Sequence, residues 1–188
     1  MMQSLRTISQ IDIALFVIDG SEKITAQDQI IMQRIIEQNK PMILLLNKVD
    51  LMDEDERQKR LDILPHYFPQ IWWAPVVFTS GAEGIGLDKA MELAFETYNI
   101  ANKEVEPAEL DTFLDKMIKE HMPGKMEDQR TPKIYNLKQI AVRPPTFRVT
   151  VNFPNAIAPA WRKFFEKQFR MKFGFEGTPV VFTYIRKS

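Results

Sequence analysis

The chain has 188 residues, 45% of them hydrophobic and 27% charged, which is enough for one large or two small cored domains and excludes wholesale disorder. It has no cysteine, only two histidines and no apolar run near the ~20 residues that span a bilayer, which excludes a disulfide framework, a thiolate or histidine-cluster metal site and a membrane-spanning helix. The net charge of zero hides an imbalance: residues 1–106 carry 10 Lys/Arg against 17 Asp/Glu (−7) and residues 107–188 carry 15 against 8 (+7), so only the second half favours a polyanionic partner.

Ile11–Asp19 (IDIALFVID) reads as a strand closed by Asp19-Gly20. Thr25 and Asp28 have the spacing of a capping box, and Ile31, Met32, Ile35 and Ile36 continue a helix that Lys40-Pro41 breaks. Met42–Leu46 is a second buried strand, Asp53–Leu64 a charged surface helix ending near Pro65, and Pro75–Ser80 a third strand. Gly81, Gly84 and Gly86 then turn the chain into a helix over Leu87–Ile100. Continuous apolar strands alternating with helices predict a parallel sheet covered on both faces, with the strand carboxyl ends on one edge, where such sheets bind ligands.

Lys103–Pro107 reads as a connector. Leu110, Phe113, Leu114, Met117 and Ile118 then form a helical stripe ending at Pro123-Gly124. Lys133–Val142 and Thr146–Phe153 read as strands, Pro159–Phe173 as an aromatic and basic helix, and Val180–Ile185 as a last strand. This order predicts a small α+β domain with one sheet face covered. The expected boundaries are 1–103, a connector at 104–108, and 109–188.

The apolar run LLL ends in Asn47-Lys48-Val49-Asp50. A carboxylate accepts the N1–H and amino protons of guanine in a fork, a pair of donors that adenine lacks, and Asp50 suits that role. The Asn47 amide suits N7 and a tie between neighbouring loops, and the stem of Lys48 suits the purine face. Ser80-Gly81, after the next strand, is placed to offer a backbone N–H to O6. The bland alternative is that Asn47 and Asp50 merely form a strand-to-loop turn. No Ser/His/Asp or paired-carboxylate arrangement stands out, so no catalytic residue and no metal ligand is assigned.

LFVIDG, LLLNKVDL and FTSGAEGIGLDKA together resemble the back half of a translation-factor-related GTPase domain. TPKIYNLKQIAVRPPTF followed by FEKQFRMKFGFEGTPVVF is similar to the carboxyl-terminal domain of the bacterial double-GTPase family called Der or EngA. The resemblance implies an α/β fold: a partial P-loop-GTPase-type wound parallel sheet lacking its first strands, followed by a small KH-like α+β domain. It implies GTP or GDP as ligand and assembly of the large ribosomal subunit with ribosomal RNA as partner, while the lack of cysteine fits a reducing, cytoplasmic setting. Met1–Ser9 resembles the helix after the second switch of the second GTPase domain.

No G-x-x-x-x-G-K-[ST] exists in the chain, so the loop that cradles phosphates and Mg²⁺ is missing. By the resemblance, the switch threonine and the Asp-x-x-Gly metal loop belong upstream of Met1. A good bidentate base contact supplies roughly 1–3 kcal/mol, against about 4–15 kcal/mol of lost freedom on association. Base contacts alone therefore predict millimolar or weaker binding and no GTP hydrolysis by this chain. A sheet without its first strands exposes an edge and an apolar face, so an upstream G-domain fragment or a second copy is an expected partner, with a self-contained monomer as the alternative.

In the basic half, Gly174-Phe175-Glu176-Gly177 fits the Gly-x-x-Gly pattern of nucleic-acid clamps. Thr178-Pro179 leaves no room for the second helix, and Glu176 repels phosphate, so a plain turn is the favoured reading. Lys163, Lys167 and Arg170, with Arg162 nearby, share a helical face and are the expected RNA or ribosome contacts, with a merely solvated stripe as the alternative. Arg130, Lys133, Lys138 and Arg143 are further candidates. Trp72-Trp73 reads as an interface patch or as packing beneath a loop.

Overall fold

The computed structural model describes Ile8, residues 10–124 and residues 131–187. Most of the helix expected over Met1–Ser9, and Arg130, lie outside the described residues. Two compact units are present, one of residues 1–100 with 176–179, the other of residues 101–175 with 180–188.

In the first unit, β1 (Ala14–Asp19), β2 (Met42–Asn47) and β3 (Val76–Phe78) form a parallel sheet in that order. Between them run α1 (Ala26–Glu37) and α2 (Glu54–Tyr67), and α3 (Leu87–Ala101) follows β3. Both crossover helices start at a complete capping box, Thr25 with Asp28 and Asp53 with Glu56, which satisfies amide protons that the helix itself leaves unpaired. The helix expected to stop near Pro65 instead runs to Tyr67. Pro65 stands in the last turn, where its missing N–H removes only one bond, and the Phe68 N–H still donates to the Leu64 carbonyl at 2.8 Å. Leu64 and Phe68 are both buried, so core packing holds that turn in place.

One face of the sheet packs Phe16, Ile18, Met42, Leu44 and Leu46 against Met32 and Ile35 of α1 and Leu64 of α2. On the other face Ile43, Leu45 and Val77 meet Ala90 of α3. The sheet is therefore covered on both faces at β2 but not at β1. Leu15 and Val17 of β1 are 42% and 54% exposed, and Met91 and Phe95 of α3 are exposed as well. The segment Glu176–Pro179 completes this unit: the Met42 N–H donates to the Gly177 carbonyl at 2.8 Å, and the Gly177 N–H donates to the Trp73 carbonyl at 2.9 Å. Trp72 is exposed, whereas Trp73 packs against the core.

In the second unit, β4 (Ile134–Ala141) pairs antiparallel with β5 (Thr146–Val151), and β5 pairs parallel with β6 (Val181–Arg186). Two helices, α4 (Pro107–Glu120) and α5 (Pro159–Phe173), supply the core. Alternation puts Phe147, Val149 and Val151 of β5 in the core, and Phe147 meets Phe169 of α5 at 4.6 Å between ring centres. Phe113 of α4 lies 5.4–5.5 Å from Phe165, Phe169 and Phe173. Thr146, Arg148 and Thr150 point to the opposite face, which neither helix covers. The connector is fastened to β4 by Gln139, which accepts from the Val105 N–H at 2.8 Å and donates to the Lys103 carbonyl at 3.0 Å. Pro107, read from sequence as part of the connector, opens α4, where its fixed φ fits and its missing N–H is not needed.

Candidate guanine-recognition site

In-register pairing sets Asp19 beside Asn47 at the carboxyl ends of β1 and β2. The Thr79 N–H donates to the Leu46 carbonyl at 2.9 Å, and the Val49 N–H donates to the Thr79 carbonyl at 3.0 Å, so the loops after β2 and β3 stay laced together beyond the strands. Asn47 adds a side-chain tie. Its Oδ1 accepts from the Gly81 N–H at 3.0 Å and from the Thr79 hydroxyl at 3.3 Å. With the oxygen so engaged, the Nδ2 is the end left to donate to a ligand acceptor such as N7.

Asp50 stands in a 3₁₀ turn over Val49–Leu51. Arg57, from α2, donates to the Val49 carbonyl at 3.1 Å and steadies that turn. Buried Val49 anchors it, whereas Asp50 itself is exposed and forms no hydrogen bond or ion pair with the described residues. Its carboxylate is thus open to an incoming donor pair. Lys48 has a left-handed backbone (φ +65°), and its Nζ pairs with Asp19 Oδ2 at 2.6 Å. Asp19 also accepts from the Ser21 hydroxyl at 2.7 Å and the Ser21 N–H at 3.0 Å, closing β1 with a turn. The Lys48 and Ser21 bonds hold the Asp19 carboxyl below its usual titration range, and the same ion pair raises Lys48. The pair therefore weakens only as pH falls through the lowered Asp19 range or rises through the raised Lys48 range, and persists across neutral pH.

Gly20 allows the close approach of this loop. Its N–H donates to the Asn47 carbonyl at 2.7 Å, and a Cβ there would lie 2.9 Å from that oxygen. Ser80 is fully buried, with its N–H given to the Ile85 carbonyl at 3.0 Å and its Oγ accepting from the Glu83 N–H at 3.2 Å. The N–H groups of Ser80 and Gly81, expected to face a guanine O6, are thus both engaged within the chain. Gly81 reaches O6 only by sharing or releasing Asn47. The contributions of Thr79, Arg57 and Asp19 were not foreseen from sequence. The Thr-Ser-Gly run hints at the first, while the others depend on how loops meet.

At the strand ends the chain thus presents an open Asp50 carboxylate and the free amide end of Asn47. Lys48, the cation of the motif, is held by Asp19, and no group of three or more His, Asp or Glu suited to a metal occurs among the described residues. The chain has no glycine-rich phosphate loop.

Residues 2–123 match the family model of the elongation factor Tu GTP-binding domain, and residues 104–184 match that of the KH-domain-like carboxyl-terminal domain of EngA bacterial GTPases. The chain belongs to the Der (EngA) GTPase family, and matches the carboxyl-terminal part of its members. GTPase Der of Protochlamydia amoebophila is 32% identical over 176 residues, 94% of this chain and 36% of the relative. GTPase Der of Rippkaea orientalis is 31% identical over 182 residues, 95% of this chain and 40% of the relative. The chain thus spans about two fifths of the length of the curated relatives it matches. Among solved structures, Era of Aquifex aeolicus aligns with a TM-score of 0.45 at 21% identity, over 97% of this chain and 67% of that one. The two family matches overlap on α4, which belongs by its packing to the second, KH-like unit.

In that KH-like unit the expected basic face of α5 comes apart. Lys163 and Lys167 are exposed, but Arg170 is 8% exposed. Its Nε pairs with Glu166 at 2.9 Å and its Nη1 donates to the Phe175 carbonyl at 2.8 Å, so it is a core residue and not a surface contact. Arg162 donates to the carbonyls of Ile157 and Pro154 and lies 4.4 Å over the Tyr184 ring, which fixes it to the fold. Gly174-Phe175-Glu176-Gly177 is the favoured turn: Gly174, Phe175 and Gly177 all have positive φ, and the Phe175 ring is fully buried.

A stability contrast separates the two motif residues. Asn47→Ala leaves the buried Thr79 hydroxyl and the Gly81 N–H without their acceptor and is expected to destabilise by about 1–3 kcal/mol. Asp50→Ala removes no bond to the described residues and is expected to stay within about 0.5 kcal/mol of the parent. Urea unfolding followed by circular dichroism measures both.

Proposed function

We propose that this chain recognises guanine nucleotides through Asn47, Lys48 and Asp50 and serves, as part of a Der-type GTP-binding protein, in assembly of the large ribosomal subunit. The exposed, unpaired Asp50 carboxylate beside an Asn47 whose oxygen is already engaged supports this reading. A turn built only for structure gains nothing by leaving Asp50 open. Buried Ser80 holds the neighbouring loop in place, and guanine binding requires Gly81 to share its N–H with O6.

By itself the chain supplies the base half of the site, so GTP hydrolysis is not expected of it. The open edge and bare face of β1 suit the pairing of an upstream G-domain fragment, which would carry the phosphate half. Titrating ¹⁵N-labelled protein with GDP and, separately, ADP is the direct test. Shifts at Asp50, Gly81 and Ala82 with GDP, in the millimolar range or weaker, and none with ADP are expected. Asp50→Ala is expected to abolish that preference. Equal responses to the two nucleotides, or a preference that survives Asp50→Ala, would overturn the guanine reading.

A second reading is supported by the charge of the KH-like unit: it contacts RNA on the ribosome, with the first unit as scaffold. Residues 107–188 carry 15 Lys/Arg against 8 Asp/Glu, and one of the eight, Glu166, is paired with Arg170.

A further inference from the structure

The helix-free face of the β4-β5-β6 sheet carries an arrangement that the α5 stripe does not. Lys138 of β4 is the cross-strand partner of Arg148 of β5, and Arg148 is the register partner of Thr183 of β6. One row of the sheet thus reads Lys, Arg, Thr. The next reads Asn136, Thr150, Ile185. Lys138 and Arg148 are both exposed, and neither side chain has a hydrogen bond or ion pair with the described residues. Lys187 adds a third cation beside the strands, its Nζ 4.2 Å from the Tyr135 ring centre. No carboxylate occurs on these three strands.

Like charges directly opposite each other across a strand pair repel, and natural sheets normally place an opposite charge or a neutral partner there. Here two cations stand opposite each other on a solvent face where Thr, Gln or Glu would serve the fold as well. Hydroxyl and amide groups of Thr146, Thr150, Thr183 and Asn136 surround the pair. They are the side chains that hydrogen-bond phosphate and ribose oxygens. The acidic side of this unit meets the basic face at β4, where Glu104 and Asp111 line a groove of about 720 Å³ together with Asn136 and Lys138, so the basic surface extends from Lys138 towards Arg148 and β6.

We propose that this open sheet face, centred on Lys138 and Arg148 with Lys187 at its margin, is a binding surface for the phosphate backbone of single-stranded RNA. The proposal rests on the reading of the KH-like unit as an RNA contact and moves that contact from α5 and the Gly174–Gly177 turn to the sheet. Tyr135 is the single aromatic side chain exposed on these strands, and Lys187 already lies over it. A base-stacking platform is therefore lacking, and recognition is through phosphates with little sequence preference.

Fluorescence anisotropy of a labelled oligouridine of about 12 nucleotides tests this on the full chain. The parent is expected to bind with a salt slope near −2, since three cations contribute roughly 0.7 each on a single strand. The double variant Lys138→Ala/Arg148→Ala is expected to bind about tenfold more weakly and to lose about 1.4 from that slope between roughly 50 and 200 mM salt. Lys163→Ala/Lys167→Ala, on α5, is expected to bind like the parent. Folding does not confound the result, because relieving the repulsion leaves the thermal midpoint of the sheet variant equal or higher. If the parent binds and the sheet variant matches it, or the α5 variant is the weaker binder, the surface is misassigned while the RNA reading stands. If the parent binds no RNA at any salt in that range, both fall. The GDP titration stands apart from either outcome. A parent that prefers an acidic peptide to oligouridine would assign the face to a protein partner and overturn the proposal.

Discussion

Gly86→Ala is expected to destabilise the first unit by about 3 kcal/mol, well beyond an ordinary loop substitution. Two effects add. Gly86 has φ +72°, in the left-handed region, where a side chain costs about 1–2 kcal/mol. A Cβ there would also lie 2.1 Å from the Phe78 carbonyl oxygen, a distance that backbone cannot tolerate. The strand must move, and Phe78 is the last residue of β3, directly before the Thr79 that bonds Leu46, Val49 and Asn47. Gly84 provides the control. It has φ +74° but nothing within 4 Å of the point where a methyl group would sit, so Gly84→Ala should cost only the conformational share, about 1–2 kcal/mol. Urea unfolding of the two variants measures the difference. The same displacement should blunt the GDP response of Gly86→Ala while Gly84→Ala keeps it. Equal destabilisation by the two substitutions would show that the collision relaxes without disturbing β3.

What could be read from sequence divides from what could not along the range of the forces involved. Helix starts were legible because a capping box is local: Thr25 and Asp28, three residues apart, settle their own geometry. The strand over Met42–Leu46 was legible because five consecutive apolar residues cannot lie on one face of a helix and need burial on both sides, which they obtain. The placement of Asn47 and Asp50 at the end of that strand follows from the same run. What was not legible depends on segments distant in the chain. The Gly81 N–H is held by Asn47, thirty-four residues away, so its direction follows from how two loops meet and not from either loop alone. Arg170 shares helical spacing with Lys163 and Lys167, yet the turn at Gly174 brings the Phe175 carbonyl over the last turn of α5 and draws the guanidinium inward. Burial lowers the proton affinity of that guanidinium, with Glu166 opposing the shift. Periodicity records which residues share a face; it does not record what folds back over the end of the helix.

The second large effect concerns the aromatic core of the KH-like unit, where Phe169→Ala is expected to remove about 3–5 kcal/mol. Phe169 is fully buried and lies 4.6–5.7 Å from the rings of Phe113, Phe147, Phe173, Phe175 and Phe182, which come from α4, β5, α5, the following turn and β6. One side chain thus joins every layer of the unit, and its loss leaves a cavity whose walls belong to five separate segments and cannot all close upon it. A further consequence falls on Phe175. This bulky residue has φ +72°, a strained conformation for any residue but glycine, and its ring is held by stacking on Phe169 at a 20° interplanar angle while Arg170 bonds its carbonyl. Removing the Phe169 ring withdraws half of that support, so the turn should open and its amides should exchange faster than those of β5. Phe169→Leu retains part of the volume and should cost about 1–2 kcal/mol. Trp161 stacks on Phe165 at 5.0 Å and is the one tryptophan of this unit, so its fluorescence during urea unfolding, in a background of Trp72→Phe and Trp73→Phe, reports on the KH-like unit alone. A loss below about 1 kcal/mol for Phe169→Ala would mean that the neighbouring rings repack, and that Phe113 and Phe147 can meet without it.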